Sequence, residues 1–489
     1  MFRRQTKKQM LIRRIIVSIV MVVAVLVIVT GAILFILGYR LDGDKGRLEQ
    51  GALVQIETIP GSAYVSIDGK LLSSRTSTKQ SVIAGLHSFI VTRDGYEPWA
   101  KSLNLKAGTL TWLDYIRLVP KNLKPETVAT YPTLHGEKAS PDLKTLIVQE
   151  KAEVPTFKLV DLRSQDVKTS SITLSSDDYS DATTEGVAHS FTLGDWDTGG
   201  RFVLLTHTFG DKNEWIVVDT QNVAASVNVS SLLSISLTDL QFAGTNGSIL
   251  YGLATDGVIR KLDLSAQTIS RALVTNVKKF DMFETNVISY VGIDPKNSAH
   301  QVAGVYRDGD EAPHVLRVVK TLDTPLLIDA TRYFSDDYVA IAEGVKVTIL
   351  KGRYPTSSAD ETSSLKSFAE FTATAAVDQL QFNEEGDYLI ARSGLASIAY
   401  EIEYQRQTAS TIETTETVAK TLHWLDDAYL WAVYDGHLAI REFDGSNVHV
   451  INAAEPGFDA TLSQNGRYLY SIGKSGTNYQ LQRVKMILE

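Results

Sequence analysis

The stretch FNEEGDYLIA at residues 382–391 places a turn rich in Asn, Glu and Gly directly before a β-rich apolar run. The same pattern returns in FAGTNGSILYG at 242–252 and in LSQNGRYLYS at 462–471. A β-unit that recurs every few tens of residues, and that cannot bury both of its faces alone, is typical of the blades of a β-propeller. We therefore predict a mainly β chain with a β-propeller over residues 121–489.

The spacing of equivalent strand positions predicts eight blades, with seven as the alternative. The shortest spacing is 38 residues, from Leu250 to Ile288, and the longest is 57 residues, from Leu146 to Val203. Stacked β-sandwiches would also show short strands and turns, but no Pro- or Gly-rich linker divides residues 121–489. The eight positions are Leu146, Val203, Leu250, Ile288, Val339, Leu389, Leu430 and Leu469.

The two ends of this region predict how the ring closes. The last unit reaches Glu489 after about three strands, whereas the segment 126–131 precedes the first unit as a spare strand. A closed ring leaves no long sheet edge exposed. We therefore expect the spare strand to complete the last blade.

An uncharged apolar run at residues 15–37 predicts a transmembrane helix in contact with the lipid bilayer. Its 23 residues would extend roughly 34 Å as a helix, enough for a hydrocarbon core of about 30 Å. A lone segment in lipid must satisfy its own backbone groups, which only a helix does. A cleaved signal peptide is the alternative, but its apolar region would span roughly 7–15 residues.

The charges beside this helix predict its orientation. Positive charge favours the cytoplasmic side, so residues 1–14 form a cytoplasmic tail and the rest of the chain lies outside the cytoplasm. Beyond the tail, 42 Lys and Arg stand against 57 Asp and Glu, an acidic balance that argues against a nucleic-acid partner. The six cations of the tail, with no acid among them, are Arg3, Arg4, Lys7, Lys8, Arg13 and Arg14.

Between the helix and the propeller we predict a juxtamembrane linker at 38–51 and a small β-sandwich at 52–120. The linker holds four glycines and mixed charges without a sustained apolar period. In the sandwich, Ala63, Val65 and Ile67 alternate with other residues before an Asp-Gly turn at 68–69.

Two motifs in this small region resemble a PEGA domain: PGSAYVSIDGK at 60–70, and GLHSFIV at 85–91 followed by an Asp-Gly-Tyr at 94–96. The signature itself departs from the family, because Pro60-Gly61-Ser62-Ala63 stands where Pro-Glu-Gly-Ala is expected. The resemblance implies a small, non-catalytic β-module of the kind common near bacterial membranes and cell envelopes.

The repeats of the propeller are similar to the WD40-like blades of TolB-type propellers. The clearest copies are SPDLKTLI at 140–147 and the units that start at Phe382 and Leu462. No Trp-Asp ending occurs at regular spacing, so the repeats depart from true WD40 repeats.

Known catalytic and metal-binding patterns are absent from the sequence. The chain has no cysteine, and no two of its nine histidines lie three to five residues apart, which excludes thiolate sites and helical zinc pairs. The Gly-Lys-Ser at 473–475 lacks the earlier glycine of a phosphate-binding loop. The acids at 177–181 and 308–311 could hold calcium but favour solvated turns. We predict no catalytic, cofactor or metal residue.

One loop pairs an aromatic residue with two carboxylates. Asp195, Trp196 and Asp197 precede Thr-Gly-Gly, and such a set can stack on a sugar and hydrogen-bond it. An ordinary turn between strands is the alternative. We keep the three residues as a candidate ligand loop.

These features favour a membrane-anchored binding or scaffolding protein of the bacterial cell envelope, which presents its propeller to an envelope protein or glycan. The order of anchor, small module and propeller, without a catalytic set, carries this hypothesis. The alternative is an envelope glycan-acting hydrolase or lyase with carboxylates at the mouth of the propeller channel.

Overall fold

The computed structural model describes residues 7–36, 39–41, 48–181, 186–355 and 364–488. The chain is mainly β and divides into two compact units, Met1–Lys121 and Asn122–Glu489. Each unit is described by itself.

The first unit begins with one long apolar helix, α1, at Lys7–Ile36. Its segment Leu11–Leu34 has a mean hydropathy of 3.0, and none of its most apolar window is buried against the protein. A helix of this length and composition could anchor the chain in a membrane. The prediction of an apolar helix is confirmed, while Leu37, Arg3 and Arg4 lie outside the described residues.

The rest of the first unit consists of two four-stranded sheets. In one sheet β2 lies between β1 and β5 and also pairs with β8 in parallel; the other has the order β4-β3-β6-β7. Alternate residues of β2 and β6 are buried, as the sandwich prediction requires. The strands are β1 (Tyr39–Leu41), β2 (Leu48–Ile59), β3 (Tyr64–Ile67), β4 (Lys70–Arg75), β5 (Thr78–Ile83), β6 (Gly85–Thr92), β7 (Trp99–Leu105) and β8 (Leu110–Arg117).

The segment predicted to be a linker contains paired strands. Residues 39–41 pair antiparallel with residues 48–50, and β2 continues without a break into the sheet. The linker prediction did not anticipate this pairing, because glycines and mixed charges at 38–51 conceal strands that are too short to show a period. Residues 42–47 lie outside the described residues.

The Asp-Gly turn between β3 and β4 holds the next strand of its sheet. Asp68 Oδ1 accepts a hydrogen bond from the Ser88 amide at 2.9 Å, and His87 Nδ1 lies 2.6 Å from Asp68 Oδ2. His87 Nε2 lies 2.6 Å from the carbonyl oxygen of Ile83. The turn and the Gly-x-His motif, which are 20 residues apart in sequence, therefore form one hydrogen-bonded assembly.

The described part of the second unit forms eight four-stranded antiparallel sheets. Sheet one contains β10 (Gly136–Ala139), β11 (Thr145–Gln149), β12 (Thr156–Asp161) and β13 (Thr169–Thr173), and sheet two contains β14 (His189–Trp196), β15 (Phe202–Phe209), β16 (Lys212–Asp219) and β17 (Val227–Asn228). Sheet three contains β18 (Leu237–Ala243), β19 (Asn246–Ala254), β20 (Ile259–Asp263) and β21 (Thr268–Ile269), and sheet four contains β22 (Val277–Phe283), β23 (Val287–Asp294), β24 (Asn297–Arg307) and β25 (His314–Val319).

Sheets five to eight follow the same plan. Sheet five contains β26 (Leu326–Tyr333), β27 (Asp336–Glu343), β28 (Lys346–Gly352) and β29 (Lys366–Thr372), and sheet six contains β30 (Gln379–Phe382), β31 (Tyr388–Ser393), β32 (Ala396–Glu401) and β33 (Arg406–Thr411). Sheet seven contains β34 (His423–Trp424), β35 (Tyr429–Tyr434), β36 (His437–Glu442) and β37 (His449–Ala453), and sheet eight contains β38 (Ala460–Leu462), β39 (Tyr468–Ser475), β40 (Asn478–Lys485) and β9 (Pro125–Tyr131). A 3₁₀ turn at Val223–Ala225 and a short helix, α2, at Val229–Leu233 lie within sheet two.

The eighth sheet is completed from the other end of the unit. Strand β9 pairs antiparallel with β40, so that Ala129 lies opposite Leu481. The prediction that the spare strand completes the last sheet is confirmed. One buried cluster, including Tyr131, Leu146, Tyr470 and Leu481, packs sheet eight against sheet one.

Consecutive sheets pack against each other through buried apolar faces. Separate clusters join sheets one and two, two and three, three and four, four and five, and five and six. Tyr388 of sheet six and Phe443, which follows sheet seven's β36, stack at 3.9 Å between ring centroids. Radial packing of this kind, closed from the last sheet to the first, is the β-propeller arrangement.

The turn that marks each repeat has a definite hydrogen-bonding function. Asn383 Oδ1 accepts a hydrogen bond from the amide of Tyr388, five residues later, at 3.0 Å. Ser463 Oγ accepts one from Tyr468 in the same way, at 3.1 Å. The polar residue at the start of the repeat therefore closes the loop between the first and second strands of its sheet.

Candidate functional site

The first strands of the sheets bring charged side chains together from distant parts of the sequence. Lys138 on β10 has its Nζ atom 2.8 Å from Asp195 Oδ1 on β14. Asp195 also acts electrostatically on Asp239 of β18, on Asp281 of β22 and on Asp459, which directly precedes β38. These interactions connect sheets one, two, three, four and eight. The first strands therefore border one common space, which we call the channel.

Carboxylates dominate this channel. Burial raises the pKa of Asp239, Asp281 and Asp459, and it raises the pKa of Asp329 to about 7. Lys279, with Nζ 3.4 Å from Asp281 Oδ2, opposes the rise at Asp281. Acids that are partly removed from water bind a proton, or a cation in its place, more readily than exposed acids. We define the acidic ring as Glu137, Asp195, Asp239, Asp281, Asp329 and Asp459.

Glutamine side chains beside the acids join neighbouring first strands. Gln241 Nε2 donates to the Phe280 carbonyl at 2.9 Å, and Gln241 Oε1 accepts from the Met282 amide at 2.9 Å. Gln379 makes the same two contacts with the backbone of Leu422, at 2.6 and 3.0 Å. Each glutamine acts as one more strand partner and holds the next sheet in register at the channel.

Two members of the acidic ring make similar links. Asp329 Oδ2 accepts a hydrogen bond from the amide of Phe382, on the first strand of the next sheet, at 2.6 Å. Glu137 Oε1 accepts one from the amide of Asp459 at 2.5 Å and so joins sheets one and eight. The ring thus combines a structural function with a concentration of negative charge.

Glu137 is the most buried acid of the ring, with 8% of its surface exposed. Its second carboxylate oxygen, Oε2, is buried and has no hydrogen-bond partner among the described residues. Burial and the charge of Asp459 raise the pKa of Glu137 well above its ordinary value. A buried polar atom left without a partner costs roughly 1–3 kcal/mol, so a donor that reached this oxygen would be stabilised there.

A cavity of about 400 Å³ opens beside Asp459, between sheets seven and eight. His423 and Trp431 stack at 4.5 Å between ring centroids and form one wall, and burial lowers the pKa of His423. Phe458 contributes a second aromatic side chain. The cavity therefore combines apolar walls with a carboxylate, as is usual in small-ligand sites. Its lining consists of Lys420, Thr421, His423, Trp431, Val433, Pro456, Gly457, Phe458 and Asp459.

A larger groove of about 690 Å³ lies between sheets one and two. Its charged walls pair with each other: Lys144 Nζ lies 2.9 Å from Asp142 Oδ2, and Arg163 binds Asp161 at 2.7 Å. These pairs compensate four of the five charged residues that line the groove, the fifth being Lys168, so the groove has no excess of negative charge.

The candidate ligand loop turns out to be one copy of the repeat turn. Asp197 is 1% exposed, and its Oδ1 accepts from the Phe202 amide five residues later at 2.6 Å, as Asn383 does from Tyr388. Trp196 is buried in the core between sheets one and two. Of the three predicted residues, only Asp195 presents its carboxylate to the channel. The structure therefore separates them instead of assembling a sugar-stacking surface.

Sequence patterns also failed to find a pair of contacting histidines in sheet two. His207 is fully buried, with its Nδ1 atom 2.8 Å from Glu214 Oε1 and its Nε2 atom 2.9 Å from His189 Nδ1. Ser180 donates its amide and its hydroxyl to the two oxygens of Glu214. The two histidines are 18 positions apart, and Ser180 and Glu214 are 34 positions apart, so no local sequence motif indicates this group.

Within the described residues, no group of three or more His, Asp or Glu side chains is arranged to hold a metal ion. Of the six tail cations, Lys7, Lys8, Arg13 and Arg14 lie within α1. The other two lie outside the described residues.

Comparison with known families supports the assignment of the small module. Residues 52–122 match the family of the PEGA domain. The chain therefore contains a PEGA domain, as the two sequence motifs predict. A search of curated proteins gave no match.

Solved structures similar to this chain include two propellers. The C-terminal WD40 domain of Sif2 is 10% identical, with 76% of this chain and 99% of that chain covered and a TM-score of 0.48. The β-propeller domain of Cps50 (Swd1) from Myceliophteria thermophila is also 10% identical, with 73% and 99% covered and a TM-score of 0.40.

Proposed function

We propose that this protein is a membrane-anchored binding or scaffolding protein of the bacterial cell envelope, which captures a protein or glycan partner at its propeller channel. The observation that carries the proposal is the cavity beside Asp459, which opens where the acidic ring meets aromatic walls. A concave site with apolar walls and a few polar groups is the usual form of a ligand site. The PEGA domain and the apolar helix support a place at the membrane.

The proposed topology puts the tail inside the cytoplasm and the propeller outside. Its support is the positive charge of residues 1–14. The absence of cysteine permits a direct test, since an introduced cysteine is the only thiol. A membrane-impermeant maleimide added to intact cells should label Phe334→Cys, a position 84% exposed in the propeller. Gln5→Cys in the tail is the matched control and should react only after lysis; the opposite pattern would overturn the topology.

The binding proposal is tested by crosslinking from the cavity. Full-length Pro456→Cys carries its thiol at an exposed wall of the cavity and takes a cleavable photo-crosslinker in intact cells. We expect a discrete adduct that is absent from Phe334→Cys treated identically. Identical adduct patterns from the two positions would contradict binding at the cavity.

A glycan-acting hydrolase or lyase is the second candidate, and the raised pKa of the ring acids favours it. General acids work best when their pKa is near the operating pH, and the pKa of Asp329 is raised to about 7. New reducing or unsaturated ends should then appear in peptidoglycan fragments incubated with the full-length protein and not with Asp329→Asn. Binding of the fragments without new ends would leave the binding protein as the better description.

A further inference from the structure

We propose that the cavity between sheets seven and eight is a receptor for one lysine or arginine side chain of a protein partner. This inference rests on the proposed binding function and deepens it, because it states the chemistry that the cavity selects. Its basis is the balance of charge around the cavity, a buried carboxylate oxygen without a partner, and the shape of the walls.

The cations near the cavity are already compensated. Lys420 Nζ lies 2.6 Å from Glu416 Oε2, and Lys138 Nζ lies 2.8 Å from Asp195 Oδ1. His423 has its pKa lowered by burial, so its ring is predominantly neutral near pH 7. These groups therefore add little net positive charge to the cavity.

The carboxylates at the same place are only partly compensated, because the single cation Lys138 acts electrostatically on Asp195, Asp459 and Glu137 together. Asp459 lines the cavity, and its carboxylate receives no hydrogen bond and no ion pair from the described part of the chain. Glu137, bonded to the Asp459 amide through Oε1, keeps its buried Oε2 without a donor. Two carboxyl groups held this close favour either a shared proton or a cationic donor. An ammonium or guanidinium group in the cavity would bring several N–H donors to Asp459, and its charge would also stabilise the neighbouring Glu137, which does not itself line the cavity.

The walls fit the rest of such a side chain. The stacked His423 and Trp431 and the nearby Phe458 offer apolar faces for the methylene stem. A cation close to these aromatic rings is further attracted by the negative charge of the ring faces. Neutral sugars would stack on the aromatic walls and donate hydroxyl groups to the carboxylates, but they would leave the negative charge uncompensated. Anionic ligands would be repelled by the acidic ring.

The test uses full-length protein in detergent micelles and blocked tripeptides, acetyl-Gly-X-Gly-amide, with X as lysine, arginine, acetyl-lysine or norleucine. Calorimetry should give saturable binding of the lysine and arginine peptides that weakens as salt is raised. Norleucine keeps the stem without the charge and should bind at least tenfold more weakly. Equal affinity for the lysine and norleucine peptides, or no binding of either, would overturn the inference.

Variants assign the effect to the cavity. Asp459→Asn and Glu137→Gln remove one charge each while retaining an amide oxygen, and each should weaken lysine-peptide binding at least tenfold. Trp431→Leu should weaken it as well, whereas Asp323→Asn, an equal change of charge on an exposed residue before β26, should not. Circular dichroism confirms that each variant is folded. Unchanged binding in folded Asp459→Asn and Glu137→Gln would refute the proposed receptor.

The two proposals fail in distinguishable ways. If the Pro456→Cys crosslink to a partner persists while no cationic peptide binds, the binding function stands and the inference about its chemistry falls. If N-acetylglucosamine binds in place of the cationic peptides, the partner is a glycan and the inference is again wrong. If both the crosslink and peptide binding are absent, both proposals are wrong.

Discussion

Glu137 and Asp459 are 322 residues apart, yet Glu137 Oε1 accepts the hydrogen bond of the Asp459 amide at 2.5 Å. This contact lies at the channel and joins sheet one to sheet eight. On the other side of sheet eight, residues 125–131 of β9 pair with residues 479–484 of β40. The ring is therefore closed twice, once by a side chain at the channel and once by a strand.

The strand closure should depend on the apolar face of β40. Leu481 is 1% exposed and belongs to the cluster that packs sheet eight against sheet one. Leu481→Ala should lower the free energy of opening of the β9–β40 pair by about 2–5 kcal/mol, because the substitution leaves a cavity in that cluster. Hydrogen exchange of residues 125–131, followed by mass spectrometry, measures the change. Gln480→Ala, on the opposite face of the same strand, should change exchange little; equal effects would contradict the packing argument.

The repeat turns explain why so much of the fold could be predicted from sequence. Asn383 and Ser463 are the second residues of two of the quoted stretches and make the same hydrogen bond across five residues. A local interaction that recurs leaves a local pattern. The spare strand at 126–131 was predictable for a related reason, since an incomplete last unit and an extra strand before the first one leave a single way to close the ring.

The acidic ring could not be predicted in this way, because the first strands of sheets one to five contribute only one acid each and the sixth acid, Asp459, directly precedes β38. In β18, Asp239 and Gln241 alternate with the buried Leu240 and Phe242, and this alternation alone reads as an ordinary half-exposed strand. Only closure of the ring brings Asp239 near Asp195. A polar residue at the same position of successive first strands is the signal that could have located the channel.

The three residues of the candidate ligand loop do not share one surface, for a different physical reason. Alternation along an extended strand directs Asp195 and Trp196 to opposite faces, and Asp197 then occupies the turn position that Asn383 has in sheet six. The three residues looked like one cluster because they are adjacent in sequence. In a strand, adjacent side chains do not share a surface.

The Glu214–His207 pair should make the stability of sheet two depend on acid. Burial alone would raise the pKa of Glu214, but hydrogen bonds from His207, Asn228 and Ser180 lower it to about 2. A carboxyl group with a lowered folded-state pKa stabilises the protein above its unfolded pKa, and this stabilisation is lost as the pH falls from about 4.5 to about 2. The difference in unfolding free energy between wild type and Glu214→Gln should be roughly 3 kcal/mol at pH 7 and should shrink in acid.

Pulse proteolysis in urea at several pH values measures this difference. Asp211→Asn, in the exposed turn between β15 and β16, changes the same charge without touching His207 and is the matched control. A pH-independent difference for Glu214→Gln would contradict the lowered pKa of Glu214.

The stability of the PEGA domain should depend on the backbone conformation and the hydrogen bond of Asp68 more than on its charge. Asp68 adopts a positive φ of 51° and accepts the Ser88 amide, two functions that asparagine can share and alanine cannot. Asp68→Ala should speed hydrogen exchange of β6, corresponding to a loss of about 1–2 kcal/mol, while Asp68→Asn should recover most of it. Equal exchange in the two variants would show that the turn does not act through this hydrogen bond.

The contribution of Asp329 to protein stability should depend on pH in the opposite sense to that of Glu214. Burial raises its pKa to about 7, against the hydrogen bonds donated by Phe382 and Ala330, which lower it. A carboxyl group with a raised folded-state pKa holds its proton longer in the folded protein, so the protein loses stability as the pH rises from about 4 to about 7. Asp329→Asn cannot ionise and keeps an oxygen for the Phe382 amide. Relative to wild type, the unfolding free energy of Asp329→Asn should therefore increase by roughly 3–4 kcal/mol between pH 4 and pH 8.

Urea midpoints from pulse proteolysis at pH 4, 5, 6, 7 and 8 measure this increase for Asp329→Asn, with Asp323→Asn as the exposed control. If the urea midpoints of wild type and Asp329→Asn change with pH in the same way, water in the channel hydrates Asp329 well enough to leave its pKa near the ordinary value.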